Sequence, residues 1–468
     1  MKKEQEMLEW CYPKQYTPRE QAGLEILDKQ CREINTFHIT DLKQAAAGAY
    51  DEHPGVQACR DDFGAHAKKL KVERERCLHY AGIYDPDNPV YSDQEYAERM
   101  GYQDITAMPG YGYNDHRFMF KMPPEMWDVM VVSGLYHELT FHRPQYPGDM
   151  LISLRDRQAY QDITPERGAH FHTFLLEDWG CVINQNGELV MEVYDRVCES
   201  CGSYVRESDR NGKPKWMTAP WQELHPAHYY TDEDWAYIRA LRCKEFRRGE
   251  DILYWEDVEI GDEPAWTVEG PVDRGPIPDD YYGMGANAGR CSYRREIMNP
   301  ESAKKLVRSK KDGIYRVPGD TDFEAAPWGK PFDPDGDNRD TFINFLGRDL
   351  VCRGINNYMG DHGFIKKLCW KIMPYLPTFE EDIPRAPGAV HWLDLVPYMR
   401  GKEATTHPMQ QDLAICKFYV YNKKAENGLH LSDLVWWIET IAGDIWMDGS
   451  AQIILPSRTA GEERRTNE

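Results

Sequence analysis

Two carboxylates and a tyrosine lie together in the segment YDPDNPVY, residues 84–91. Asp85 and Asp87 are close enough in sequence to form a carboxylate pair, in which mutual repulsion raises the pKa of one member. Tyr91 is a poor base because the ordinary tyrosine pKa is about 10, but it could donate a hydrogen bond. These residue types suit proton transfer next to a carbonyl group. Turn formation by the aspartates and core packing by the tyrosine are the alternative interpretation.

Two histidines lie where a proton acceptor could be needed. His116 follows YGYND, and His362 lies in the predicted turn NNYMGDHGF. Histidine titrates near neutral pH, so either residue could act as a general base. A solvent-exposed or structural histidine is the alternative at each position.

No metal site or cofactor is predicted. His170 and His172 face one side of a predicted strand, but no third ligand accompanies them, so we interpret them as sheet surface. Cys198 and Cys201 form a CxxC pair without the second pair that a zinc site needs. The 12 cysteines are scattered, which favours reduced thiols.

The composition limits the partners of the chain. Its 468 residues carry a formal net charge of -22, which disfavours nucleic-acid and anionic membrane surfaces. The first residues contain no apolar run of signal-peptide length, and no segment approaches the roughly 18 apolar residues of a membrane span. We therefore expect a cytoplasmic protein that binds a small molecule and neither nucleic acid nor a membrane.

The elements that would position these residues follow one order in the first part of the chain. Apolar residues at helical spacing predict a helix over residues 61–80, and Ser92 with Glu95 predicts a capping box for a short helix that stops at Gly101. Strand patterns follow over residues 134–160 and 179–197, with a hairpin at Asn186-Gly187. These patterns predict an antiparallel sheet.

A similar order follows later in the chain. The patterns predict a capped helix that begins at residue 231 and ends near Gly249, an entering strand within 254–272, a long apolar helix within 340–364, and strands on both sides of Gly443-Asp444. Helix followed by hairpin strands thus occurs twice, roughly 250 residues apart, which indicates a diverged duplication.

Four segments resemble one protein family. They are YDPDNPVYSDQEYAERMGYQDITAMPGY, RGEDILYWEDVEIGDEPAWTVEGPV, INNYMGDHGFIKKL and DGSAQIILPSR. Together they resemble MaoC-like dehydratases, which are related to (R)-specific enoyl-CoA hydratases. The resemblance implies an α+β double hotdog, in which two helix-wrapped curved antiparallel sheets form a pseudo-dimer. The implied organisation is an N-terminal extension (1–60), a first hotdog unit (61–202), a connector with a helix (203–250) and a second hotdog unit (251–468) with a charged insertion (299–340).

The catalytic motif departs from that of the family. Such hydratases use G-D-x-N-P-x-H, whose Asp and His hold a water molecule between them. Here Asn88-Pro89 is retained, Pro86 stands where the Asp is expected, and Tyr91 stands where the His is expected. The candidate catalytic residues are therefore Asp85, Asp87, Tyr91, His116 and His362.

The resemblance also implies substrate-binding residues. Gly110, at the expected start of a central helix, could let a substrate carbonyl approach backbone N-H groups. Lys366 and Lys367 could bind CoA phosphates, although a solvated charged face is the alternative. The full predicted set is Asn88, Gly110, Asn357, Asp361, Lys366 and Lys367.

These residues predict a hydro-lyase with a non-standard catalytic set, which adds or removes water on an acyl-CoA or related carbonyl substrate. One alternative is a lyase that acts on a free cyclic or aromatic hydroxy or enone compound. The other is a non-catalytic hotdog protein that binds a ligand or serves as a scaffold. A homodimer is compatible with each of them.

Overall fold

The structure is a computed structural model of the 468-residue chain. It describes residues 16–35, 39–52, 69–109, 111, 123–126, 129–164, 172–202, 226–271, 301, 304–316, 345–372, 404, 406 and 411–459. Among the helices in these ranges, none combines the length and apolar character that a membrane crossing requires.

The first half contains four helices and five strands in the described ranges. In chain order they are α1 (Pro18–Asn35), α2 (Leu42–Ala46), β1 (Lys69–Lys71), α3 (Arg74–Tyr84), α4 (Gln94–Arg99), β2 (Val129–Phe141), β3 (Met150–Asp162), β4 (His172–Ile183) and β5 (Leu189–Gly202). The predicted hairpin is confirmed, because Gly187 lies between β4 and β5 with a φ of 73°. Glycine adopts this left-handed conformation without the steric cost that other residues meet.

The connector and the second half supply the remaining elements. They are α5 (Asp232–Lys244), β6 (Thr267–Glu269), β7 (Val307–Arg308), β8 (Tyr315–Arg316), α6 (Phe345–Met359), β9 (Phe364–Ile372), β10 (Ala414–Glu426), β11 (Leu429–Glu439) and β12 (Ile445–Ile454). The predicted long apolar helix and the strands on both sides of Gly443 are thereby confirmed. The connector helix α5 begins as expected, with a capping box between Thr231 and Asp234.

Ten strands form one antiparallel sheet that runs through both halves. Its order is β1-β3-β4-β5-β2-β9-β12-β11-β10-β6, so the first half meets the second where β2 pairs with β9. At this seam Leu139 lies opposite Leu368, and His137 lies opposite Trp370. Each half therefore supplies five neighbouring strands to a continuous sheet, and this arrangement confirms the predicted α+β double hotdog class.

Helix α6 is the central helix of the second half. It contacts β6, β9 and β10 of the sheet, and it also contacts α3 of the first half. Gly354 allows the close approach to β10, because a Cβ atom at this position would overlap the ring of Phe418. The contact with α3 includes a buried hydrogen bond of 2.6 Å from the Tyr80 hydroxyl to Asp349. The core is therefore shared between the two halves.

Two predicted local features of the first half are wrong. Leu70 lies in strand β1 and pairs with Leu151 of β3, so the predicted helix over residues 61–80 does not include it. The pattern was misleading because charged residues flank a three-residue edge strand. Helix α4 is capped by Asp93, whose side chain accepts a hydrogen bond from the Tyr96 N-H at 3.1 Å, rather than by Ser92. Both aspartate and serine are good N-caps, and the helix begins one residue later than predicted.

Candidate active site between the two halves

The segment between α3 and α4 forms a tight, buried loop. Helix α3 ends at Tyr84, and a single 3-10 turn runs from Pro89 to Tyr91. The Asn88 side-chain oxygen caps this turn by accepting a hydrogen bond from the Val90 N-H at 3.1 Å. Proline suits the first position of such a turn because its fixed φ is already helical and it has no N-H to satisfy. The retained Asn-Pro step therefore orients Tyr91.

Tyr91 forms a hydrogen bond with the second half of the chain. The side-chain amide of Asn356, on α6, donates to the Tyr91 hydroxyl oxygen at 2.6 Å. Tyr91 is only 5% exposed, and burial, together with the nearby charge of Asp85, raises its pKa well above the ordinary value. Tyr91 is therefore a protonated phenol at neutral pH, which can donate a hydrogen bond but cannot act as a base.

The carboxylate of Asp85 lies next to the Tyr91–Asn356 hydrogen bond, on the side away from the cleft. Its Oδ2 atom accepts hydrogen bonds from the Asn88 amide at 3.2 Å and from the Asn356 amide at 3.5 Å. Burial raises the pKa of Asp85 to about 6, and the Arg353 guanidinium and the two amides oppose that rise. Asp85 thus titrates close to neutral pH and bonds to both amides that flank Tyr91.

A charged cluster lies on the other side of Asn88. The Arg247 Nη2 atom contacts both carboxylate oxygens of Asp361 at 2.7 Å and donates to the Asn88 oxygen at 2.9 Å. The Tyr96 hydroxyl also donates to Asp361. Arg247 belongs to the connector, so this cluster joins the connector to the loop of the first half and to the turn after α6.

Asn88, Tyr91, Asn356 and Asp361 border a cleft whose space, including open solvent at its mouth, is about 580 Å³. Both halves contribute apolar side chains to its walls, namely Val90, Met108, Phe141, Met359, Phe364 and Ile365. Its polar side chains include Asn88, Tyr91, Thr106, Gln145, Asn356 and Asp361. An apolar cleft with a few convergent polar groups is the usual form of a small-molecule site.

Three of the predicted site residues line the cleft: Asn88, Tyr91 and Asp361. The two predicted carboxylates, Asp85 and Asp87, differ from each other. Asp85 is 2% exposed and lies behind the wall, whereas Asp87 is exposed on the turn, and neither lines the cleft. One carboxylate is buried and the other is exposed to solvent, so the two do not face one substrate as the predicted pair would.

The other predicted residues of the second half do not line the cleft. His362 is half-buried and does not line it, although Asp361 and Gly363 do. The Asn357 amide donates to Glu245 at 3.1 Å, away from the cleft. Lys366 donates to the backbone oxygen of Phe141 at 2.9 Å, which holds the lysine next to a lining residue.

Lys367 forms a different contact from Lys366. It is paired with Glu138 at 2.6 Å on the seam between β2 and β9. A phosphate group at Lys367 would have to compete with that carboxylate. Of the two lysines, Lys366 is therefore the better placed for a ligand that enters the cleft.

Three predicted residues, Gly110, His116 and His170, lie outside the described residues. The interpretation of His172 as sheet surface is wrong, because it is 1% exposed and lies 3.9 Å from the carboxylate of Glu20. Helix α1 covers this part of the sheet, and burial lowers the pKa of His172. In the described part of the chain, no three metal-ligating side chains come together.

Sequence reasoning missed Asn356, Arg247 and Gln145. Asn356 lies within the family-like segment INNYMGDHGFIKKL, where only Asn357, the turn residues and the two lysines were singled out, whereas Arg247 and Gln145 lie outside the four family-like segments. One signal could have identified Asn356. Asp349, Arg353 and Asn356 recur at helical spacing on α6, whose other residues are largely apolar, and all three are buried. A polar stripe on a buried helix is expensive unless it has partners, so it indicates a functional or structural polar network.

Residues 62–193 match the family model described as "FAS1-like, dehydratase domain region". This match confirms the resemblance to MaoC-like dehydratases on that part of the chain. No curated protein compared with the chain matches it.

Solved structures similar to the chain include a MaoC-like dehydratase, with 14% identity, a TM-score of 0.43, and coverage of 83% of this chain and 96% of that one. Another is a MaoC domain dehydratase from Chloroflexus aurantiacus, with 12% identity, a TM-score of 0.41, and coverage of 84% and 94%. A third is a conserved hypothetical protein of Mycobacterium tuberculosis with a double hotdog fold, with 10% identity, a TM-score of 0.43, and coverage of 83% and 94%.

Proposed function

We propose that the cleft adds or removes water on an acyl thioester or a related carbonyl substrate, and the match of residues 62–193 to a dehydratase model supports this proposal. Tyr91 donates a hydrogen bond to the substrate carbonyl oxygen, and Asn356 holds its hydroxyl in place. Asp85 is a positioning residue, which acts through Asn88 and Asn356. The acyl chain lies along the apolar wall, and Lys366, which donates to the backbone oxygen of the lining residue Phe141, is a cation near the cleft for a phosphate group of CoA.

One observation carries this proposal: the Tyr91 hydroxyl borders the cleft and accepts a hydrogen bond of 2.6 Å from Asn356. Because its oxygen accepts from the amide, the hydroxyl hydrogen is left to point toward a ligand. A buried donor aimed at the thioester carbonyl stabilises the negative charge that develops there when the α-proton leaves or when water adds. The amide that donates to Tyr91 strengthens the phenol as a donor.

The reaction also needs a proton acceptor. Asp361 is the carboxylate that lines the described part of the cleft, and both of its oxygens contact Arg247. His116 remains the acceptor predicted from the sequence. Separate substitutions Asp361→Asn and His116→Gln distinguish these two candidates, because loss of the true acceptor lowers the rate by about 100-fold or more.

The test is hydration of crotonyl-CoA, followed by the loss of ultraviolet absorbance from its conjugated double bond. An ordinary enzyme turns over on the order of 10 times per second on a good substrate. The substitution Tyr91→Phe keeps the ring and removes the hydroxyl, so the rate is expected to fall by about 100-fold or more. Absence of turnover across several acyl chain lengths would overturn the proposal.

A matched control is Tyr358→Phe. Tyr358 is on the same central helix as Asn356, but its hydroxyl contacts Asp262 at 3.2 Å and it does not line the cleft. The control removes the same atom from a half-buried tyrosine. Its rate should stay within about 3-fold of the wild type, because stabilisation of the carbonyl oxygen needs a donor in contact with the substrate.

A second candidate function is ligand binding without turnover. It is favoured by the residues that line the described part of the cleft, which include no imidazole and no carboxylate apart from Asp361, itself paired with Arg247. In this case crotonyl-CoA binds in the cleft and is recovered unchanged. Tyr91→Phe then weakens the binding of crotonyl-CoA, and neither the variant nor the wild type converts it.

A further inference from the structure

Gln145 is a buried polar residue in the wall of the cleft. Its side chain is 4% exposed, and it lies in the loop between β2 and β3, beside Pro144. Its backbone oxygen accepts a hydrogen bond from the Ala107 N-H at 2.9 Å, which fixes the position of the residue. Burial of an amide side chain is costly unless both its oxygen and its nitrogen find partners.

Among the residues that the structure describes, only one end of the Gln145 amide has a hydrogen-bond partner. The Nε2 atom donates to the backbone oxygen of Tyr111 at 3.4 Å, whereas the Oε1 atom has no hydrogen-bond partner among the residues that the structure describes. The Tyr111 carbonyl also fixes the orientation of the amide, because a flipped amide would place two acceptor oxygens against each other. The free acceptor is therefore Oε1.

One short segment, Thr106-Ala107, holds both Gln145 and the neighbour of Tyr91 in place. Thr106 donates its backbone N-H to the oxygen of Val90 at 3.2 Å, next to Tyr91, and Ala107 donates to Gln145. Thr106, Ala107, Tyr91 and Gln145 all line the cleft. The wall of the cleft thus contains a phenol hydroxyl and an amide whose oxygen is buried without a partner among the described residues, both held by two successive residues of one segment.

We propose that Gln145 is a specificity-determining residue, whose Oε1 atom accepts a hydrogen bond from the hydroxyl group of a 3-hydroxyacyl ligand. This inference rests on the proposed function, since it assigns the donor Tyr91 to the carbonyl oxygen and the acceptor Gln145 to the hydroxyl of the same substrate. A site that hydrogen-bonds a substrate hydroxyl strongly rejects an analogue without it, because the buried acceptor is then left unpaired.

The test compares the binding of 3-hydroxybutyryl-CoA with that of butyryl-CoA, which differ only in the hydroxyl group. Isothermal titration of the full-length protein gives both dissociation constants. The wild type is expected to bind the hydroxy ester at least about 10-fold more tightly. Gln145→Met has a similar shape without the acceptor, so it should bind both esters with nearly equal affinity.

Two further variants make the test specific. Gln145→Asn keeps the amide but withdraws its oxygen by one methylene group, so it should also lose the preference if Gln145→Met does not fold. The control Gln452→Met changes a half-buried glutamine on β12 that donates to Asp433 at 2.7 Å and does not line the cleft. It should keep the full preference for the hydroxy ester.

The outcomes separate this inference from the proposed function. A lost preference in the Gln145 variants supports the inference, even if the protein turns over neither ester. Equal affinities in the wild type, or a preference that both Gln145 variants retain, overturn it and would mean that a water molecule occupies Oε1. If the protein turns over crotonyl-CoA but shows no preference for 3-hydroxybutyryl-CoA over butyryl-CoA, the proposed function is supported and the inference about Gln145 is overturned. If neither ester binds, both proposals fail.

Discussion

Asn356 donates its side-chain amide to the hydroxyl oxygen of Tyr91 at 2.6 Å, although 265 residues separate the two along the chain. The bond joins the central helix of the second half to the Asn-Pro loop of the first. In the motif that the loop resembles, a histidine would occupy the position of Tyr91 and act as a base. Here the Asn356 amide instead holds the phenol of Tyr91, which is suited to donate a hydrogen bond rather than to accept a proton.

This bond should appear as an energetic coupling. Tyr91→Phe and Asn356→Leu each remove one partner of a buried hydrogen bond, so either change alone leaves the other group unsatisfied. The coupling in the free energy of unfolding is expected to lie between about 0.5 and 3 kcal/mol in a double-mutant cycle measured by urea unfolding. The control cycle pairs Tyr91→Phe with Asn422→Leu, since Asn422 donates to Asp433 on the outer strands. Additive effects of Tyr91→Phe and Asn356→Leu would contradict the bond.

Asp85 should make stability depend on pH. Burial raises its pKa from 3.8 to about 6, so between these values the folded protein holds a proton that the unfolded chain has released. A proton held only by the folded state stabilises it at low pH, and this contribution is lost as the pH rises through about 6. Relative to Asp85→Asn, the wild type should therefore lose on the order of 3 kcal/mol between pH 4 and pH 7, at 1.36 kcal/mol per pKa unit.

The measurement is the free energy of unfolding of both proteins across this pH range. The difference between them removes the contributions of all other titrating groups, which the two proteins share. A difference that stays constant with pH, or that changes in the opposite direction, would show that the folded protein does not retain this proton.

Arg247 should be more important for stability than an exposed arginine. The side chain of Asp361 is 3% exposed and its carboxylate contacts Arg247, so Arg247→Met leaves a buried charge without its cation. The expected loss is on the order of 3 kcal/mol in the free energy of unfolding. Asp361→Asn, combined with Arg247→Met, should recover part of this loss because the unpaired charge is gone.

The matched control for Arg247 is Arg99→Met. Arg99 pairs with Glu250 at 2.8 Å, but the two side chains are 58% and 54% exposed. Exposed pairs contribute at most about 1 kcal/mol. Equal losses for the two arginine variants in urea unfolding would be incompatible with a buried Arg247–Asp361 pair.

Gly354 and Gly82 should respond in opposite ways to the same substitution. Alanine usually stabilises a helix relative to glycine by about 1 kcal/mol. Gly82→Ala in α3 should show this gain, because a Cβ atom there meets nothing within 4 Å. Gly354→Ala should instead lose about 1–3 kcal/mol, because its Cβ atom would overlap the ring of Phe418. Thermal unfolding measures both, and a stabilised Gly354→Ala would refute the close packing of α6 on β10.

Local patterns predicted the elements well where turn residues and periodicity agreed. The Asn186-Gly187 hairpin, the capped helix after Thr231 and the strands around Gly443 all depend on interactions between residues that are near in sequence. The failure at Leu70 has a different cause, because β1 is an edge strand of three residues that exists only by pairing with β3. Such a strand carries almost no periodic signal of its own.

The candidate site was predictable only in part, for a related reason. The Asn-Pro step located Asn88 and Tyr91, because motif spacing is local information. Asn356, Arg247 and Gln145 join the site from three distant segments, and a single sequence does not state which distant residues meet. The exposed Asp87 and the buried Asp85 also look alike in sequence, since the covering residues that separate their environments come from α6 and the connector.

The continuous sheet also affects how this protein can change over time. In a symmetric dimer of single hotdogs, each substitution would occur in both copies, so a change that suits one cleft would be imposed on the other. Here β2 and β9 join two halves of one polypeptide, and a mutation in either half occurs only once. Tyr91 could therefore replace a histidine in the first half while Asn356 arose independently in the second, and neither required a matching change in the opposite half.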